Sequence, residues 1–347
     1  FMREWLSLYE SKSGERGMFN RQAAAKQAAK NGRREEYGDF GTNPCSEIIL
    51  RNKQFCNLTE VVVRPYDTFD SLQIKVEAAT ILGTMQATLT NFRYLTSKWK
   101  HNTQEESLLG VSFTGIMDNV DMINGKIDLE KLKDVAVSVN KVWAKKLGIP
   151  QSAAITCVKP SGTVSQLVDS ASGIHTRHSP YYLRTIRADK KDPLAKMMVD
   201  AGVYYEDDIT KPDHTYVFYF PMKSPKGALT RKDFTAIEHL EIWKKYQDLW
   251  CEHKPSVTIS LKEDEWMEVG TWVKKNFADI SGISFLPYSD HSYKQAPYQE
   301  ITYKEYREWL KVTTDDVDWS KITHYETEDN TENTKELACS AGTCEII

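Results

Sequence analysis

SAAITCVKPSGTVSQL, residues 152–167, runs through small, β-branched and apolar residues to Val158 and then breaks at Pro160-Ser161-Gly162. Such a run predicts a buried strand, delivered straight into a turn. Outward from it the same alternation recurs. LTEVVVR (58–64), TYVFYF (215–220), SVTISL (256–261) and GISFLP (282–287) are strand-like. Between them lie helical segments: Thr68 to about Asn91, residues 128–147 ended by Gly148 and Pro150, and TAIEHLEIWKKYQDLW, where Thr235 and Glu238 form a capping box. Near the amino terminus, NRQAAAKQAAKN (20–31) is an alanine-rich helix with Asn20 placed to cap it and Gly32 to end it. Strands alternating with helices predict an α/β fold with largely parallel strands, in an open sheet or a barrel. No internal repeat is evident. From about Glu326 the sequence turns polar and acidic without apolar periodicity, which divides the chain into a folded part, 1–325, and a flexible carboxy-terminal tail, 326–347.

The 347 residues can bury a sizeable core in one large domain or two smaller ones. With 40% hydrophobic and 27% charged residues the composition is that of an ordinary globular protein. No apolar run reaches the ~20 residues of a spanning helix. A net charge of -4 without a Lys/Arg block gives no sign of a nucleic-acid partner. The first residues lack the layout of a secretory signal, so a cytoplasmic location is expected. There six cysteines should stay reduced, and pairs of them read as redox-active or metal-binding before structural. Phe1 precedes Met2 and the chain opens in a helix-like segment, which suggests one part of a larger protein.

NPCSEIILRNKQFCNLTEV (43–61) holds two of the cysteines, Cys45 and Cys56, with Glu47 two residues after the first. Cys45 follows Asn43 and Pro44 in a Gly/Asn/Pro loop, so its sulfur should project from a turn. If the segment is extended, Cys45 and Glu47 point the same way, as a thiol and a general base addressing one substrate must. A buried, inert cysteine is the bland alternative. Cys339 and Cys344, in CSAGTC, form a thiol pair on a tether, suited to exchange with a disulfide elsewhere. No nearby Cys/His pair completes four ligands around them, so no metal site is read there. Pro160, Ser161, Gly162, Thr163 and Ser165 offer backbone N–H groups and three hydroxyls after a strand, a phosphate cradle or simply a helix cap. His175 and His178 have H-x-x-H spacing, yet ordinary hydrogen bonding is the favoured role. Cys157 and Cys251 read as core residues. The aromatics around Tyr181, Tyr182 and HSYKQAPYQ (291–299) line a cleft or pack together.

ERGMFNR, FGTNPCSEIIL, QFCNLTEVVVR, LLGVSFTGIMD, KPSGTVSQL, SGIHTRHSPYYLRTIR, QAPYQ and CSAGTC together resemble the catalytic subunit of ribonucleotide reductase, most closely the monomeric, adenosylcobalamin-dependent (class II) triphosphate reductases. The resemblance implies a ten-stranded α/β barrel with Cys45 on a central finger loop, of which this chain is the carboxy-terminal half. It implies that Cys45 becomes a thiyl radical and abstracts the ribose 3′ hydrogen, that Glu47 takes the 3′-hydroxyl proton, and that Asn43 holds the sugar hydroxyls. Cys56 would be one of two thiols that reduce the sugar and end as a disulfide. Cys339 and Cys344 would reduce that disulfide, and thioredoxin or a similar dithiol would reset them. Residues 160–163 and Ser165 match the loop for substrate phosphates. In the family the partner of Cys56 lies upstream, and no cysteine precedes Cys45 here, so an amino-terminal half is expected as a partner. The alternatives are the large subunit of a diiron-dependent reductase and a non-catalytic thiol-exchange or scaffold fragment.

Overall fold

The computed structural model describes residues 1–11, 16–35, 39–288, 293–314 and 316–327. They form two compact units, one of Phe1–Arg177 with Lys226–Tyr288, the other of His178–Pro225 with the described residues from 293 to 327. Both mix helices and strands, as the α/β expectation requires.

In the larger unit helices start where local chemistry caps them. The Asn20 carboxamide oxygen accepts from the Gln22 and Ala23 N–H groups ahead of Arg21–Ala29. Thr68 and Ser71 exchange hydrogen bonds at the start of Phe69–Gln86, Asp128 caps Leu129–Leu147, and Thr235 with Glu238 caps Ala236–Leu249. Each side chain satisfies an N–H that has no partner within its helix. Gly148 ends the Leu129–Leu147 helix in the left-handed region, at φ +70°. The Phe69–Gln86 helix is shorter than the sequence suggests: Thr88 turns its hydroxyl back to Met85 O, and the next residues follow as turns.

Four small sheets are present among the described residues. In the larger unit isolated bridges link them. Asn57–Val62 runs parallel to Leu109–Thr114, with Asn57 opposite Leu109. The Leu109 and Val111 N–H groups donate to Ala154 O and Ile155 O, and Cys157 N–H donates back to Val111 O. Val158 N–H donates to Lys254 O and Ser256 N–H to Val158 O. Thr258–Leu261 then runs parallel to Ile283–Pro287, with Gly17–Met18 antiparallel beyond it. Five parallel segments therefore follow one another across the unit. The stretch 152–158 is joined on both sides, but through single bridges at Thr156 and Val158 instead of a regular ladder. Its neighbour contributes Pro255, which has no N–H to give.

Helices cover one side of this array. Val61, Leu109, Val111 and Phe113 pack with Leu72, Val76, Leu132 and Ala136 in a continuous apolar core. The opposite side carries the polar segments described below.

The smaller unit departs from the expected parallel strands. Tyr181–Asp189 pairs antiparallel with Thr215–Lys223, which also pairs antiparallel with Tyr205–Asp207, and Tyr298–Glu300 adds antiparallel to Tyr181–Asp189. The seven-residue link from Asp207 to Thr215 is too short for the crossover that a parallel pair needs. Its aromatics pack on one another: Tyr181 meets Tyr303 and Tyr306 at 5.3 and 5.2 Å between ring centres, and Tyr219 stacks on Trp309. No described helix is long and apolar enough to cross a membrane.

Candidate functional site

Residues 43–50 form a loop laid onto the parallel array, its end at Ile49–Leu50 paired antiparallel with Gly41–Thr42. Ser46 N–H closes a turn onto Asn43 O at 2.9 Å, and Asn43 Oδ1 accepts from Ile48 N–H at 3.0 Å. That leaves the Asn43 amide nitrogen as the group it can offer outward. Ser46 sits at φ +64°, so Cys45 and Glu47 are not related by an extended backbone as the sequence suggested. A turn sets their relative aim, and the half-buried Cys45 thiol stands in that turn.

Four straps hold the loop. Ile49 N–H donates to His253 Nδ1 at 3.3 Å while His253 Nε2–H donates to Leu109 O at 3.0 Å, which fixes the neutral tautomer. Burial pushes the His253 imidazole down to about 3. Arg34 donates to Ile49 O at 2.8 Å and pairs with the buried Glu106 carboxylate at 2.9 Å. Lys254 N–H donates to Glu47 O at 3.2 Å, and Ser256 Oγ donates to Cys45 O at 2.6 Å. Below the loop Gly110 allows close packing: a Cβ there would lie 2.4 Å from Leu58 Cδ2, 3.0 Å from Ile48 Cδ1 and 3.2 Å from Cys157 Sγ, so those side-chain ends would have to shift.

Glu47 is the most unusual group. Its side chain is fully buried, and neither carboxylate oxygen has a hydrogen-bond partner among the described residues. A buried carboxylate without hydrogen bonds is costly, and among the described residues only charge, that of the buried Lys254 amine, acts on it to offset that cost.

Cys56 lies just before the Asn57–Val62 strand, against Leu108, Ala153 and Ala154. Burial first, and the Glu47 charge second, push its thiol well up, with Arg34 opposing. It is therefore a protonated hydrogen donor at neutral pH and not a thiolate nucleophile. Cys157 and Cys251 are buried, as expected of core residues. Burial raises the Cys157 thiol too, reinforced by the charges of Glu47, Cys251, Cys56 and Glu60. Cys157 sits two strands across from Cys56, about 9–10 Å of sheet width. That exceeds the ~7 Å between Cα atoms that a disulfide can bridge.

In the 159–165 turn, Ser161 is buried and its hydroxyl is committed, donating to Glu60 Oε2 at 2.9 Å and accepting from Ser165 N–H at 3.0 Å. Ser165 Oγ donates to Ser161 O. Gly162 is half-exposed and Thr163 exposed, so those two form the accessible part of the turn. The helix that follows, Val164–Leu167, is a single turn. Gly173 lets the chain pass close beneath, since a Cβ would lie 2.5 Å from Lys159 O.

His175 donates through Nδ1 to Ser172 O and accepts Thr258 N–H at Nε2, a hydrogen-bonding role as the sequence favoured. His178 pairs with Ser179 and stacks on Tyr298. Cys339 and Cys344 lie outside the described residues. Sequence reading missed Glu60, His253 and Lys254. The run Cys251–Lys254 is wholly buried despite three ionisable residues in a row, and no periodicity signals it.

No protein-family model matches the chain. An adenosylcobalamin-dependent ribonucleoside-triphosphate reductase of Euglena gracilis is 29% identical over 289 residues, 81% of this chain and 39% of that protein. One of Lactobacillus acidophilus is 28% identical over 341 residues, 88% of this chain and 45% of that protein. The chain thus spans less than half the length of these curated relatives. Among solved structures, a B-12 dependent (class II) ribonucleotide reductase superposes with a TM-score of 0.70 at 24% identity, covering 83% of this chain and 44% of that one. The alpha subunit of a class Id ribonucleotide reductase from Actinobacillus ureae gives 0.57 at 11% identity, covering 83% and 61%. In sequence, over most of its length, this chain is similar to part of the adenosylcobalamin-dependent ribonucleoside-triphosphate reductases, and in fold to part of a class II ribonucleotide reductase.

Proposed function

We propose that this chain carries the carboxy-terminal half of the catalytic barrel of an adenosylcobalamin-dependent reductase that converts ribonucleoside triphosphates to 2′-deoxyribonucleotides in the cytoplasm. The observation that carries the reading is the buried Glu47 carboxylate beside the Cys45 turn, without a hydrogen-bond partner among the described residues. A substrate hydroxyl is the donor it lacks. The five parallel segments supply half of a ten-stranded barrel with residues 43–50 as its finger loop, and the Asn57–Val62 strand, paired on one side only among the described residues, is where the amino-terminal half joins.

The feature that fits the cofactor is the Cys45 thiol, a half-buried hydrogen donor in a turn. Bound adenosylcobalamin supplies the radical, a chemistry no side chain offers. Thiyl Cys45 then takes the ribose 3′ hydrogen, Glu47 accepts the 3′-hydroxyl proton, and the Asn43 amide orients the sugar. The protonated Cys56 thiol donates to the leaving 2′-hydroxyl, which departs as water. Cys56 and a thiol from the amino-terminal half supply two electrons and two protons, one to the departing water and one to C2′, and end as a disulfide, because Cys157 is too far across the sheet to pair. Cys45 then returns its hydrogen to C3′, restoring the thiyl, and Glu47 gives the proton back to the 3′ oxygen. Cys339 and Cys344 reduce that disulfide by exchange, and a thioredoxin-type dithiol resets them. The turn at Pro160–Thr163 receives the phosphates through Gly162 and Thr163, with Ser161 and Ser165 bracing it from within.

The test is deoxyribonucleotide formation from a ribonucleoside triphosphate with adenosylcobalamin and a dithiol, by the chain alone and with an amino-terminal half added. Product that appears only in the mixture and vanishes in Cys45→Ser supports the proposal. Product that survives Cys45→Ser defeats it.

A further inference from the structure

Among the buried ionisable groups beside the loop, Lys254 is the one whose side chain reaches the residue between Cys45 and Glu47. Lys254 is 1% exposed, and its Nζ donates to Ser46 Oγ at 2.9 Å. Its backbone N–H also holds Glu47 O, and two residues on Ser256 holds Cys45 O. Ser46 stands between Cys45 and Glu47 in the left-handed region, at φ +64°, so the aim of both neighbours depends on how firmly that one residue is kept. Gly282 leaves the room: a Cβ there would lie 2.4 Å from Lys254 Nζ and 3.0 Å from Ser46 Oγ. Charged or titratable groups acting on the amine are Glu47 from the loop and Cys251 from its own segment. A lysine sealed in such a place costs stability, and a methionine would fill the same volume without that cost.

We propose that Lys254 is a positioning residue of this site, retained against the interest of stability because it fixes Ser46 and with it the mutual aim of the Cys45 thiol and the Glu47 carboxylate. The inference rests on the reading that those two groups act together on one substrate. Burial brings the Lys254 ammonium down to about 7, so its charged hold on Ser46 weakens as pH rises through neutrality.

The test uses Lys254→Met, Ser46→Ala and the double variant in the full chain. Iodoacetamide labelling of Cys45, followed by peptide mass spectrometry from about pH 6 to about pH 9, reports the thiol's presentation without any cofactor. We expect the labelling rate at Cys45 to change roughly threefold or more in Lys254→Met, equally in Ser46→Ala, and no further in the double variant, because one contact is removed in each case. The melting temperature of Lys254→Met should hold or rise. With the amino-terminal half supplied, kcat should fall about tenfold with little change in KM. A labelling profile of Lys254→Met that superimposes on the wild type, or single effects that simply add, overturns the inference. Labelling decides this even if no reductase activity is found, and that lack would count against the functional reading alone.

Discussion

On the helix-facing side of the parallel array Val61, Leu109, Val111 and Phe113 close into one apolar cluster, whereas the other side presents Leu58, Glu60, Gly110, Ser112 and Cys157, with Cys56 just before them and the 43–50 loop above. The same strands build both. Strand residues alternate between faces, so a single run such as Leu58-Thr59-Glu60-Val61 serves cohesion and chemistry in turn. The first side stabilises through area removed from water. The second spends stability on a buried carboxylate without a hydrogen-bond partner among the described residues, a buried lysine and a thiol held as the acid. Such groups gather where function requires them.

This contrast can be broken by experiment, starting with the largest effect. Glu47→Gln should lower the rate of deoxyribonucleotide formation by roughly 10²–10⁴-fold, the usual contribution of a general base, while urea unfolding shows stability unchanged or improved. Parallel losses of rate and stability would show Glu47 to be structural instead. Phe113→Ala, on the other face, should cost about 3–5 kcal/mol in urea unfolding.

pH provides a test common to both sides. His253, and His239 of the Ala236–Leu249 helix, whose Nε2 bonds Ile174 O at 2.9 Å, are held down to about 3 and about 4 by burial, below the ordinary value of 6.5. The unfolded chain therefore binds more protons below pH 6.5, so stability should fall as pH drops from 6.5 toward 4. Lys254, at about 7 against an ordinary 10.5, acts in the same sense at higher pH: stability should rise between 7 and 10.5, and Lys254→Met should flatten that slope. Unfolding free energies measured across that range for both proteins check the sign. The smallest expected effect is that of Gly110→Ala, about 1–3 kcal/mol, because its Cβ meets movable side-chain ends of Leu58, Ile48 and Cys157.

Much of the fold is legible where the signal is local. Asn20, Thr68, Asp128 and the Thr235–Glu238 box start helices because each donor and acceptor lies within three residues of its partner. The apolar runs at 58–64, 256–261 and 282–287 appear as strands for the same reason, since β-branched stretches suit a pleated sheet whose residues alternate between buried and less buried positions. The pairing of TYVFYF was not legible, because parallel and antiparallel partners demand the same residues and only the short chain path decides between them. In the candidate site, Cys45, Glu47 and Cys56 could be picked out by type and spacing. Their geometry could not: the extended relation expected of Cys45 and Glu47 gives way to a turn at Ser46.

Residue types and short-range spacing by themselves determined the helix caps, the strands of the α/β core and the identity of the thiols and the carboxylate. Tertiary structure alone decided that Glu47 is sealed without a hydrogen-bond partner among the described residues, that Ser161 is turned inward to Glu60, and that Lys254 reaches Ser46 across 208 residues of sequence. The physical reason is that a capping bond is fixed by a few backbone angles, whereas desolvation and long-range contact exist only once distant segments have packed.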